Sequence, residues 1–229
     1  YDNAGLTGEP ITTITQGSTG NNSFYAKWLA NKYTVKFHEN GGTGSMADQE
    51  FTYGVEQALT ENAFTRTNAL FVGWATSEGD AENGTVTYTD GQSVSNLTTT
   101  KDGIVNLYAV WATISITACP ERIKLNGQLT LTISYKNIPE NYIYRVYITN
   151  HNQPVPNNTG EWITISGSGT LTHTSQSGHN FTVGENNIVV ELYNQNHSIL
   201  LLTSEAKTFI AEQIYNIAVY YNTGNGNIE

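Results

Sequence analysis

The chain has 229 residues and a net charge of −10, with 20 acidic against 10 basic side chains and one cysteine. Phosphate binding needs clustered Lys and Arg, and the basic residues here are scattered, so nucleic acid is excluded as an expected partner. No apolar run approaches the ~20 residues of a membrane helix, so no membrane insertion is expected within this segment. A signal or anchor would lie outside it. Cys119 alone cannot form an internal disulfide and reads as a small buried hydrophobe, with a reactive thiol as the lesser alternative. Aromatic residues are 11% and charged residues only 13%, so large rings are available for β cores while amides and hydroxyls make the surface polar. That balance fits a secreted β protein better than a cytosolic enzyme.

Period-two alternation dominates the chain and predicts strands. Phe24, Ala26 and Trp28 share one face of a first expected strand. Tyr33, Val35 and Phe37 do the same in the next, and Asn40-Gly41-Gly42-Thr43-Gly44 turns the chain. A second strand is expected at 51–53, a third at 69–74 and a fourth at 104–111, where Leu107, Ala109 and Trp111 share a face. Residues 54–66 carry the one candidate helix, of about one turn, and 76–93 read as a long polar connection. From 113 to 212, about eight short strands alternate with turn signals, which reads as an immunoglobulin-like β-sandwich by analogy of fold. A last strand is expected at 215–222.

The chain repeats itself. Phe24-Tyr25-Ala26-Lys27-Trp28 echoes Leu107-Tyr108-Ala109-Val110-Trp111. Tyr215-Asn216-Ile217-Ala218-Val219 echoes Tyr33-Thr34-Val35-Lys36-Phe37, and Thr223-Gly224-Asn225-Gly226 follows it as a turn. Repetition of this kind points to a modular array. The expected organisation is the C-terminal part of a module at 1–31, a complete module at 32–112, the sandwich at 113–212, and the first strand of a further module at 213–229.

The opening Tyr33-x-Val35-x-Phe37-x-x-Asn40-Gly41-Gly42-x-Gly44, the central Phe71-x-Gly73-Trp74 and the closing Leu107-Tyr108-Ala109-x-Trp111 resemble the Listeria–Bacteroides repeat, the internalin-type β-grasp-like module of microbial surface proteins. The resemblance covers 33–111, with partial copies at 1–28 and 215–229. It implies a mainly β fold and an extracellular, non-enzymatic, stalk-like or adhesive role, with no cofactor.

Phe71, Trp74 and Trp111, with Trp28 in the partial copy, are expected as structural core rather than a ligand platform. Trp162 beside the tyrosines of 142–147 is a weaker candidate for stacking on sugar rings. His38, His151, His173, His179 and His197 lack metal-ligand spacing, so zinc is not expected. Glu78, Asp80 and Glu82 could meet calcium, but the spacing is not that of an EF-hand, and a solvated acidic loop is the default. No nucleophile or acid–base set stands out. Six N-x-S/T sequons, at Asn21, Asn83, Asn96, Asn157, Asn180 and Asn196, would be acceptor sites only in a glycosylating source. These observations converge on a stalk, spacer or filament-building segment of a surface protein whose partners are neighbouring modules of the same or an identical chain. The rival reading is a glycan- or protein-binding module that uses the sandwich. An exposed Trp162 on a flat aromatic face would favour the rival.

Overall fold

The structure is a computed structural model and describes residues 1–156, 162–176, 178–179 and 181–213. It is mainly β. In chain order the elements are β1 (Lys32–His38), β2 (Gln49–Thr52), β3 (Gln57–Ala58), β4 (Ala69–Ala75), helix α1 (Glu78–Glu82), β5 (Ser93–Val94), β6 (Gly103–Ala118) and β7 (Arg122–Lys124). There follow β8 (Thr130–Ile148), a 3-10 turn (Thr149–His151), β9 (Gln153–Pro154), β10 (Ile163–Thr174), β11 (Gly184–Asn194), β12 (Leu200–Thr203) and β13 (Lys207–Glu212).

Eleven of these strands form one hydrogen-bonded sheet in the order β2-β1-β6-β8-β11-β13-β7, with β4 added to β6, β9 and β10 to β8, and β12 to β11. Pairings are antiparallel except β1 with β6 and β7 with β13. The second half of the chain is therefore not two separate sheets. The 19-residue β8 runs through Asn137 and Asn141, both in left-handed backbone (φ 56° and 66°), and β10 shifts register opposite the same stretch. Bulged strands of this kind can turn a corner and supply both layers of a core. Leu131 and Ile133 before the corner, and Tyr144, Val146 and Ile148 after it, share one buried cluster.

Two cores result. One is rich in rings and contains Tyr33, Phe37, Phe51, Phe64, Trp74 and Trp111. The other is mostly aliphatic and draws on β6, β8, β11, β12 and β13. The expected helix at 54–66 is not formed, since that stretch holds only the two-residue β3. The helix lies in the acidic connection instead. There Ser77 caps α1 by accepting the Asp80 N–H, and Glu78 and Asp80 in the first turn complement the helix dipole.

Residues 1–31 contain no strand. Tyr1 and Tyr25 exchange two hydrogen bonds, but Phe24, Tyr25, Trp28 and Leu29 remain exposed. Trp28 is 89% exposed, so it is not a core residue here, contrary to the sequence expectation. The cause is the missing neighbours. The matching stretch of β6 becomes a strand because β1 and β4 pair with it, and residues 24–28 have no strand beside them among the described residues. The expected strand at 215–222 lies outside the described residues.

Candidate functional site

The motif residues of 33–111 meet in the ring-rich core, and the geometry explains their spacing. Phe71 and Trp74 are three apart, so a regular strand would point them to opposite faces. A bulge at Gly73 changes the register between Phe71↔Trp111 and Gly73↔Val110, which brings both rings to one side. Their centroids lie 4.9 Å apart at 64°. Gly73 has φ +147°, and a Cβ there would lie 2.5 Å from a Val86 methyl and 2.8 Å from the Tyr88 carbonyl oxygen. Only glycine fits this site.

Trp111 is the second fixed point. Its Nε1–H donates to the Glu39 carbonyl at 2.8 Å, and its ring meets Phe71 edge-on at 5.7 Å. The ring lies over the Asn40-Gly41-Gly42 turn, where a Cβ on Gly42 would approach Trp111 Cζ2 to 2.8 Å. The Asn40 side chain donates to the Ala109 carbonyl at 2.9 Å and ties the same turn to β6. Trp74 is fully buried among Phe37, Phe64 and Phe71, with its Nε1 unpaired. Phe71 is half-buried and packs on this core.

The second feature is the junction of the two cores. Leu107, Ala109 and Trp111, on one face of β6, lie in the ring-rich core. Ala112, Ile114 and Ile116, on the other face, lie in the aliphatic core. Residues 109–112 are buried on both sides. β4 is divided the same way, with Phe71 toward one core and Leu70 and Val72 toward the other. Asn137 ties the region together, because its amide donates to the Trp111 carbonyl at 3.1 Å and its backbone N–H donates to Ser168 Oγ at 2.9 Å. Beside it lies a cleft of about 340 Å³ lined by Arg66, Glu78, Trp111 and Lys136 among others.

A third cluster gathers around Arg145. Its guanidinium donates twice to Glu191 Oε2, at 2.6 and 3.1 Å, and lies 4.5–5.3 Å from the ring centroids of Tyr147, Trp162 and Tyr193. The Tyr193 hydroxyl donates to Glu191 at 3.0 Å, and burial followed by that carboxylate pushes its ionisation up. Arg145 lies over one side of this ring set, and His197 packs on Trp162 at 4.4 Å. Trp162 is thus half-buried within a cation–π stack and does not stand open on a flat aromatic face. The sequence reading noted Trp162 and the tyrosines but missed Arg145 and Glu191. One charge of each sign on two apolar-alternating strands was the available signal.

Two polar groups lie deep in the aliphatic core. His173 is buried, with Nε2 donating to the Val155 carbonyl at 3.1 Å and Nδ1 facing the Tyr144 hydroxyl at 3.5 Å. Burial lowers its pKa to about 4, and burial likewise raises that of Tyr144. Burial also lowers the pKa of His179 and raises that of the Cys119 thiol. Glu78, Asp80 and Glu82 do not converge. They lie along α1, where Ser77 donates to the Asp80 carboxylate, and no metal-sized carboxylate or histidine group occurs among the described residues. Asn21, Asn83, Asn96 and Asn196 are exposed. Asn83 caps α1, and Asn96 accepts from the Gly54 N–H. Asn157 and Asn180 lie outside the described residues.

No curated protein and no solved structure matches the chain. Residues 33–110, which hold the Gly73 bulge and the Asn40-Gly41-Gly42 turn, do match one family model, that of the Listeria–Bacteroides repeat domain.

Proposed function

We propose that the chain is a non-enzymatic spacer segment of an extracellular, multi-domain surface protein, a stalk that holds an adhesive or filament-forming part away from its anchor. The repeat family supplies the surface context. The observation that carries the spacer reading is β6, one strand whose two faces are buried in two successive cores. A spacer transmits position only if its units cannot swing. Domains joined by a loop move freely unless their interface is large and apolar. Here the connection is sheet and core rather than linker, so bending the junction would break ladder hydrogen bonds and expose residues 109–112.

The rival reading, a glycan- or protein-binding sandwich, needs open ring faces, and the Arg145 stack covers them in part. The experiment is a distance measurement between spin labels at Glu56→Cys and Glu205→Cys in a Cys119→Ser background. These exposed sites sit on the two sides of the junction. One narrow distance distribution is expected. A broad or two-peaked distribution at unchanged thermal stability would remove the rigid-spacer reading.

A further inference from the structure

Sheet edges are where β proteins meet other chains, and most edges of this sheet are protected. β2 has four residues, including Glu50 in an ion pair with Lys32. β7 has three, with Arg122 and Lys124 at its ends. β9 has two and ends in Pro154, and β12 has four. β4 is covered where Trp74 and Tyr88 exchange hydrogen bonds. Shortness, charge, proline and covering are the usual ways in which an edge is protected from pairing.

β10 differs. It is 12 residues long, contains no Lys, Arg, Asp, Glu or Pro, and pairs only with β8 among the described residues. Register shifts disturb it near Gly167, but residues 169–174 run in unbroken register against 135–130 of β8. Thr170 and Thr172 are exposed on the solvent face, while Leu171 is half-buried and His173 buried on the core face. Among the described residues this stretch has no second backbone partner on its outer edge, and the bond from the Gln176 N–H to the Pro156 carbonyl lies just beyond its end.

We infer that the β10 edge is a self-association surface, pairing antiparallel with β10 of a second copy about a two-fold axis at Thr172. Residues directly opposite in an antiparallel pair point to the same side of the sheet, so core-face residues must meet core-face residues. Centring the pair on Thr172 satisfies this. Thr172 meets its own copy, Thr170 meets Thr174, and Leu171 meets His173. Threonines face each other on the solvent side, a favourable cross-strand pairing. Half-buried Leu171 gains cover on the other side. A two-fold contact of this kind is self-complementary and closes as a dimer. It also places no charges opposite one another, which matters in a chain of net charge −10. The second copy is favoured over an unrelated peptide because the edge matches itself in both face and charge.

A single edge pairing buries less surface than a stable dimer needs, so the contact is weak in dilute solution. It gains strength where many copies are held side by side on one surface, through effective concentration.

Sedimentation equilibrium of the intact chain at concentrations up to about 1 mM reads the association. A monomer–dimer equilibrium that strengthens as salt screens net repulsion is expected. Thr172→Lys sets two like charges face to face on the axis and should weaken dimerisation about tenfold or more. The double variant Thr170→Lys, Thr174→Glu sets opposite charges across both outer pairs. It should dimerise more tightly than Thr170→Lys alone, with an advantage that fades in high salt. Thermal melts confirm that each variant is folded. A chain that stays monomeric throughout overturns the inference, as does a dimer indifferent to Thr172→Lys. A double variant no tighter than Thr170→Lys overturns the antiparallel register.

Discussion

The two cores of this molecule are specified in different ways. The ring-rich core is written locally. Asn40-Gly41-Gly42, Phe71-x-Gly73-Trp74 and Leu107-Tyr108-Ala109-x-Trp111 each carry a backbone geometry, and the three geometries meet at Trp111. The aliphatic core has no such motif. It is a pattern of alternating Ile, Leu and Val on long strands, with a buried polar pair, His173 with Tyr144, joining residues far apart in sequence. A locally written core can be recognised from a short stretch and reused along a chain. A pattern-written core shows its class of fold but not its partners.

The sharpest way to break this comparison is Trp111→Ala. The substitution removes a ring that is only 4% exposed, its hydrogen bond to Glu39 and its contact with Phe71. A loss of about 3–5 kcal/mol is expected from cavity formation, read from urea melts of the intact chain. Because β6 serves both cores, the loss should appear in one cooperative transition. Two separated transitions would show that the cores are energetically independent. A loss below about 1 kcal/mol would mean that the turn does not depend on Trp111.

The next largest effect belongs to the other core and is a matter of pH. His173 is neutral when folded, with a pKa of about 4 against about 6.5 when unfolded. The folded state thus binds fewer protons between those values. The stability it confers is fully present above pH 6.5, is lost as pH falls toward 4, and changes no further below that. About 3 kcal/mol is at stake. His173→Gln keeps a donor for the Val155 carbonyl and cannot titrate. Melts from pH 7.5 to 4 should slope more steeply for the parent than for the variant. Equal slopes would mean that His173 gains water or a proton without unfolding.

These two predictions bear on how much the sequence disclosed. The strands of 33–111 were legible because turn chemistry and alternation agree there. The bulge beside Gly73 was not, because alternation does not show that a residue, here Val72, drops out of the ladder. Helix α1 had a readable start, since Ser77 three residues before Asp80 is a capping pattern, but the surrounding Gly79 and Gly84 favoured a loop. In the second half the apolar faces were legible while the continuity of β8 and β10 was not. Asn137 and Asn141 take the left-handed backbone that asparagine tolerates in turns, and in the structure they carry one strand around a corner. Burial of His173 depends on Val155, 18 residues away, and pairing of Arg145 depends on Glu191, 46 away. No local signal encodes such distances.

Arg145→Ala probes the polar pair on the face of β8 and β11 opposite the aliphatic core. It leaves Glu191, whose side chain is 12% exposed, without its guanidinium, and it unstacks Tyr147, Trp162 and Tyr193. Removing one partner of a mostly buried pair costs more than the pair is worth. A loss of about 2–3 kcal/mol is expected for Arg145→Ala. The double variant Arg145→Met, Glu191→Leu should recover most of it. If it recovers nothing, the stack of rings on Arg145 matters more than the ion pair.

The smallest expected effect is the most direct test of what a motif means. Trp28 and Trp111 occupy the same place in two copies of one sequence, Tyr-Ala-x-Trp, yet they are 89% and 4% exposed. If the motif alone made the core, the two would respond alike to truncation. If the core is made by neighbouring strands, Trp28→Ala should change the stability of the chain by less than about 0.5 kcal/mol, the range of an ordinary surface site. The same denaturant melts that score Trp111→Ala decide it. A loss above about 1 kcal/mol for Trp28→Ala would show that residues 24–28 are covered in solution, either by another part of the chain or by a second molecule. Repeating the melt at two protein concentrations separates these, because only an intermolecular contact makes stability depend on concentration. The expected difference of several kcal/mol between two tryptophans in one motif would measure what β1 and β4 contribute when they flank it.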